Sequence, residues 1–143
     1  MKRYLITVIL VLVFLTSIVA ATDVPIYRNA KTSERLIALT FDDGPHPTQT
    51  VDILKILKEY DVKATFFMIG INVERYPEIA KLVSEEGHEI GNHTYNHVIK
   101  SKQEASELEN EIVTAHNVIE SICDFDTRLF RSPGGKINDS ITK

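Results

Sequence analysis

Tryptophan is absent from these 143 residues, cysteine occurs once, and proline and glycine number only five and six. A single cysteine, Cys123, excludes an internal disulfide framework. It stands at the end of a helical pattern and reads as a small buried apolar residue. Positive charge is scarce as well: 16 Lys and Arg face 20 Asp and Glu, for a formal net charge of −4. Setting aside Lys2 and Arg3 leaves the remainder more acidic still and without any basic cluster, so no nucleic acid is expected as a partner. Internal repeats and low-complexity stretches are lacking too, which leaves one ordinary domain with a real core.

What is present begins with a targeting segment. Lys2 and Arg3 precede an apolar run from Tyr4 to Leu15, and Thr16-Ser-Ile-Val-Ala-Ala21 offers small residues for cleavage after Ala20 or Ala21. Run on to Ala21, the segment is also just long enough to span a bilayer. Residues 1–21 are read as a signal peptide or a membrane anchor, residues 22–33 as a short polar stalk and 34–143 as the domain. Either reading of the N-terminus gives an extracytoplasmic domain, secreted or associated with the membrane.

Within the domain, strand and helix patterns alternate. Leu36–Thr40 reads as a buried strand, followed by a helix near Thr48–Tyr60 with Val51, Leu54, Ile56 and Leu57 inward. Ala64–Ile69 reads as a second strand, and Pro77–Glu86 as a helix opened by proline and stopped at Gly87. Glu89–Asn92 is a short third strand. Ser101-Lys-Gln-Glu104 resembles a capping box that opens the longest helix, to about Ile122. Leu108, Ile112, Ala115, Ile119 and Ile122 recur on one face of that helix, and the acidic residues between them read as a solvated face. His116 is placed at the surface or rim. Leu129–Arg131 reads as a fourth strand. Repeated βα units imply parallel strands, in a barrel or an open sheet, with chemistry at the C-terminal strand ends.

The chemistry-bearing residues fall at those ends. Asp42 and Asp43, in Leu39-Thr-Phe-Asp-Asp-Gly-Pro-His46, end the first strand. Two adjacent acids cost repulsion and desolvation unless a cation or a proton lies between them. Taken alone, the pair also reads as a solvated turn. His93 and His97, in Gly91-Asn-His-Thr-Tyr-Asn-His97, are four apart, a spacing that lets two imidazoles meet one ion. With Asp43 they form a set of two histidines and one carboxylate, suited to Zn2+ or a similar divalent metal, with a position left open. Arg131, in Arg131-Ser-Pro-Gly-Gly135, cannot lose its charge and can grip a carboxylate with two hydrogen bonds. A purely structural zinc site on the two histidines would also accommodate these ligands.

In their order and text, Thr40–His46, the His93/His97 pair and Arg131–Gly135 resemble the first three motifs of the polysaccharide deacetylases, the NodB-homology domains of carbohydrate esterase family four. Val62-Lys-Ala-Thr-Phe-Phe-Met-Ile-Gly70 resembles the second strand of that family. The resemblance implies an α/β fold, a partial (β/α) barrel of about four or five βα units. It implies a metal-dependent hydrolase that removes N-acetyl groups from an amino-sugar polymer, peptidoglycan or a chitin-like chitooligosaccharide. By the same carry-over, Asp43, His93 and His97 hold the metal, Zn2+ first and Co2+ or Ni2+ as alternatives. Asp42 is then the catalytic base, Arg131 its partner, and the Gly134 backbone N–H an oxyanion donor. Glycine at that last position departs from relatives that carry a larger side chain there. His46 is expected to serve the turn and His88 the structure, while Asn92 and Tyr95 are candidates for orienting ligands. Two further family motifs, an Asp/Trp segment and a late histidine acting as general acid, have no counterpart before Lys143. The chain is therefore expected to be a truncated form with its C-terminal part missing and activity near background, or an inactive remnant that retains metal or glycan binding.

Overall fold

The structure is a computed structural model, and it describes residues 25–29, 31–98 and 104–135. The N-terminal targeting segment and Ser101 of the proposed capping box lie outside the described residues. Among the described residues no helix is long and apolar enough to cross a membrane.

Three parallel strands form the sheet, β1 (Thr40–Gly44), β2 (Thr65–Met68) and β3 (Glu89–Asn92), in the order β1-β2-β3. Helix α1 (Gln49–Glu59) connects β1 to β2. The connection from β2 to β3 holds two helices, α2 (Gly70–Arg75) and α3 (Pro77–Glu85), and α4 (Ala105–Cys123) follows β3. This is the expected α/β arrangement of a partial barrel. The expected fourth strand is reduced to one parallel bridge, Asn92 with Phe130, so the segment aligns with β3 without forming a strand of its own.

Side chains of successive β2 residues face opposite sides of the sheet. Phe66 and Met68 enter a core with Leu54, Leu57, Ala64, Val73, Ala80, Val83, Ile90, Ile119 and Cys123. Phe41 and Phe66 pack with ring centroids 5.1 Å apart. Phe67 points to the other face, where the register aligns it with Asp42 on one side and Gly91 on the other. That face carries the site.

Several boundaries differ from the sequence reading. The first strand begins at Thr40, not Leu36, and runs through both aspartates. Leu36 and Ile37 are exposed because pairing with β2 starts only at Thr40 with Thr65. Ile56 is exposed rather than inward. It lies two residues from Leu54, roughly 200° around the helix, whereas Leu57 lies one turn away. Val51 is half-buried. Helix α2 was not anticipated: Gly70 falls in the segment that resembles the family's second strand, and the sequence reading places the next helix only at Pro77. Gly70 is instead the first residue of a packed helix, where a Cβ would stand 2.7 Å from the Tyr95 ring and 3.1 Å from the Ala115 backbone. Cys123 is buried as expected, and burial pushes its thiol up to about 11.

Candidate metal centre

The two adjacent aspartates part company through a break in strand pairing. Asp42 pairs with Phe67 and Gly44 with Met68, so Asp43 is an extra residue, a bulge, with φ of 70°. The Asn72 side-chain amide holds the bulge by donating to the Asp43 carbonyl at 3.0 Å. The bulge, rather than a corner after the strand, aims the two acids at different partners within one region.

Asp43 reaches both histidines. Its Oδ1 lies 3.4 Å from His93 Nε2 and 3.0 Å from His97 Nε2. One ligand atom from each of the three residues lies within 4.8 Å of the others. His93 follows β3 directly; its backbone N–H donates to the Met68 carbonyl at 2.9 Å. Its Nδ1 lies 2.6 Å from the Arg131 carbonyl, which accepts only if Nδ1 carries the proton. That tautomer leaves the Nε2 lone pair free and facing Asp43. The donor chemistry therefore fits a divalent cation: two imidazole nitrogens and a carboxylate, with one imidazole oriented by a backbone carbonyl. The set suits Zn2+, Co2+ or Ni2+ without selecting among them.

Asp42 has a separate partner. Arg131 Nη1 donates to Asp42 Oδ1 at 2.7 Å and to Thr40 Oγ1 at 2.9 Å. The contact uses one guanidinium nitrogen, so the two-pronged grip that arginine permits is not the one made here. The guanidinium also packs on an aromatic face: its carbon lies 4.0 Å from the centre of the Phe67 ring. A cation over an aromatic face is attracted to the ring's electrons, which adds to the hold on the guanidinium. Arg131 thus sits between the two halves of the site, its side chain on Asp42 and its carbonyl on His93.

The remaining sequence candidates divide. Gly134 has φ of 64° in the short 3-10 turn Pro133–Gly135, and among the described residues, its chain neighbours aside, none lies within 4 Å of where its Cβ would be. His46 serves the turn: its Nδ1 accepts from the N–H groups of Thr48 and Gln49, both at 3.3 Å, at the start of α1. His88 is buried, and its Nδ1 accepts from the Ala64 N–H at 3.3 Å. Burial, and then the Lys63 charge, lower its pKa, against an opposing pull from Glu86. His116 is half-exposed, 3.9 Å from Glu120. Asn92 accepts the Thr94 N–H at 2.9 Å and donates to the Ile112 carbonyl at 2.8 Å, so it shapes the loop between the histidines. Tyr95 donates to Glu74 at 2.7 Å, and that hydrogen bond raises its pKa. Glu111 was missed, because it was grouped with a solvated acidic face. It accepts hydrogen bonds from Tyr95 and Asn96 beside His97.

A parallel α/β sheet with a two-histidine, one-carboxylate cluster and a separate Asp–Arg pair at its strand ends defines an α/β protein with a metal-type centre. The family model for polysaccharide deacetylase matches residues 29–143, and the chain belongs to that family. It is 49% identical over 111 residues to a peptidoglycan-N-acetylglucosamine deacetylase of Bacillus cereus, covering 78% of this chain and 52% of that protein. It is 45% identical over 89 residues to a chitooligosaccharide deacetylase of Bradyrhizobium sp., covering 62% of this chain and 41% of the relative. Among solved structures, peptidoglycan deacetylase PdaC from Bacillus subtilis superposes with a TM-score of 0.72 at 40% identity, over 76% of this chain and 54% of that one. The chain thus spans at most about half the length of these relatives.

Proposed function

We propose that the chain carries the metal-binding and proton-accepting part of a deacetylase that hydrolyses N-acetyl groups on an amino-sugar polymer. Peptidoglycan is the first choice of substrate and a chitooligosaccharide the second, following what the relatives are named for acting on. One observation carries the reading: adjacent carboxylates have separate cationic or cation-binding partners, Asp43 the two imidazoles and Asp42 the guanidinium.

Asp43, His93 and His97 would hold the ion. A divalent ion bound there supplies Lewis acidity for the acetamide carbonyl and makes nearby water more acidic. Asp42 lies on the adjoining residue and accepts the proton that water loses on attacking that carbonyl. Arg131 pairs with the Asp42 carboxylate and fixes its orientation, the guanidinium itself being held by Thr40 and Phe67. The Gly134 N–H is the proposed second donor to the oxyanion. The N-terminal segment, as signal or anchor, would deliver this chemistry outside the cytoplasm, where cell-wall glycans are found.

The test is acetate release from an N-acetylglucosamine oligomer, with metal-stripped protein and with Zn2+ restored. Zinc-dependent release that Asp42→Asn abolishes supports the reading. Zinc uptake and oligomer binding with no release, even when the protein is fused to the remaining half of a relative's domain, would replace it with a binding role.

A further inference from the structure

The two histidines are held in very different ways. His93 is 2% exposed and anchored at both its backbone and its Nδ1. His97 lies in a turn beyond β3, has φ of 59° and is 39% exposed. Its ring meets Asp43 at 3.0 Å and lies 5.0 Å, centre to centre, from the His93 ring, and neither contact anchors its backbone. Its position therefore depends on the turn that carries it.

That turn is gripped by a carboxylate from α4. Glu111 Oε2 accepts the backbone N–H groups of Tyr95 at 3.1 Å and Asn96 at 2.7 Å, and Oε1 accepts the Asn96 side-chain amide at 2.8 Å. On the opposite side, the Gly70 and Ile71 N–H groups donate to the carbonyls of Thr94 and Tyr95, both at 3.0 Å. The turn needs such support, because Thr94 and His97 both adopt a left-handed backbone that side-chain-bearing residues avoid. Hydrogen bonds to an ionised acceptor are roughly twice as strong as neutral ones. Three of them converge on the Glu111 carboxylate from Tyr95 and Asn96, the two residues just before His97.

We propose that Glu111 is the positioning residue for His97, presetting the turn so that the second imidazole meets Asp43 and the ion without reorganisation. The proposal rests on the reading of Asp43, His93 and His97 as metal ligands. It assigns to Glu111 no contact with the ion or the substrate.

Zn2+ affinity, measured by competition with a chromophoric chelator, and the visible spectrum of the Co2+-loaded chain provide the readouts. Glu111→Ala should weaken Zn2+ binding by about 10–100-fold and change the Co2+ spectrum. Glu111→Gln keeps an oxygen for the two backbone N–H groups and should recover most of that affinity. Glu109→Ala, an exposed change on the same helix, should have no effect. In a His97→Ala background, Glu111→Ala should cause no further loss, because the ligand through which it acts is gone. The proposal is overturned by unchanged Zn2+ affinity and Co2+ spectrum in Glu111→Ala, or by an equal loss in the His97→Ala background. Should Glu111→Ala fail to fold, Glu111→Gln carries the same cycle, and a severalfold loss confined to the His97-containing background is then required. A wild-type chain that takes up no Zn2+ sinks the metal reading itself, a result distinct from a bound ion indifferent to Glu111.

Discussion

Gly91→Ala adds one methyl group on the site face of β3, and its consequences can be followed atom by atom. The new Cβ would stand 2.4 Å from Phe67 Cδ1, 2.5 Å from Cε1 and 3.1 Å from Cγ. Comfortable carbon contacts are about 3.5–4.0 Å, so the ring must retreat by roughly 1 Å. It has little freedom to do so: Phe67 is 7% exposed, its register neighbour is Asp42, and Arg131 covers its face at 4.0 Å. Overpacking of this kind costs about 1–3 kcal/mol. For a domain of about 100 residues that corresponds to a fall in Tm from about 4 °C to somewhat above 20 °C. The displaced ring also carries Arg131 away from Asp42, so acetate release should fall more steeply than Zn2+ uptake. Thermal unfolding, metal titration and acetate release on the same preparations separate these effects. Phe67→Leu made together with Gly91→Ala should be less damaging than the two single changes predict, since the smaller side chain relieves the clash. A Gly91→Ala protein of wild-type stability, or strict additivity in the double variant, would refute this account of the site face.

Four further outcomes follow from the same geometry. Asp42→Asn should leave the Zn2+-to-protein ratio of the chain unchanged and, in the chain fused to the remaining half of a relative's domain, reduce acetate release by about 10²–10⁴-fold, the usual contribution of a positioned base; loss of metal in this variant would contradict the division between the aspartates. Asp43→Ala removes the oxygen shared by both imidazoles and should lower the bound-metal ratio itself, measured after dialysis. His88 has a folded pKa below its unfolded value, so it contributes stability that is present above about pH 6.5 and lost as the pH falls toward the folded pKa. Urea unfolding of the metal-free chain should accordingly show a shallower decline below pH 6.5 in His88→Gln than in wild type. Cys123, with its thiol pushed up to about 11, should resist alkylation at pH 8 until the chain is unfolded, and rapid labelling of the native chain would show that its burial is misjudged.

The sequence marked out the residues that converge at the strand ends more fully than it marked out the strands that carry them. Asp43, His93 and His97 are recognisable because a metal set needs particular atoms at particular spacings, whatever the backbone does between them. Helices α3 and α4 are legible from proline, glycine and apolar periodicity. The start of β1 was not, because Leu36–Leu39 is as apolar as a buried strand, yet its link to the sheet is the single Leu39 carbonyl that accepts the Thr65 N–H, and Leu36 and Ile37 are exposed. Helix α2 was hidden for the converse reason: its glycine is selected by the close approach of Tyr95 and Ala115, a contact between segments far apart in sequence. Glu111 shows the same limit. On α4 it has the spacing of a solvated residue, and only the arrival of the Tyr95–Asn96 turn gives its carboxylate three donors.

The bulge at Asp43 explains why two neighbouring acids can do unlike things. In a regular strand, Phe41 and Asp43 would share one face and Asp42 the other. Phe41 packs against Phe66 on the core side, so an in-register Asp43 would direct a carboxylate into apolar surroundings without a partner. The extra residue removes that cost by letting β1 skip Asp43 in its pairing with β2. Asp42 keeps its place beside Phe67 and meets a guanidinium that cannot give up its charge. Asp43 leaves the ladder and meets two nitrogens whose lone pairs can bind a cation. Strand irregularity and chemical specialisation are therefore one feature, and a change that restored regular pairing through residue 43 would dismantle the cluster without altering any of its three side chains.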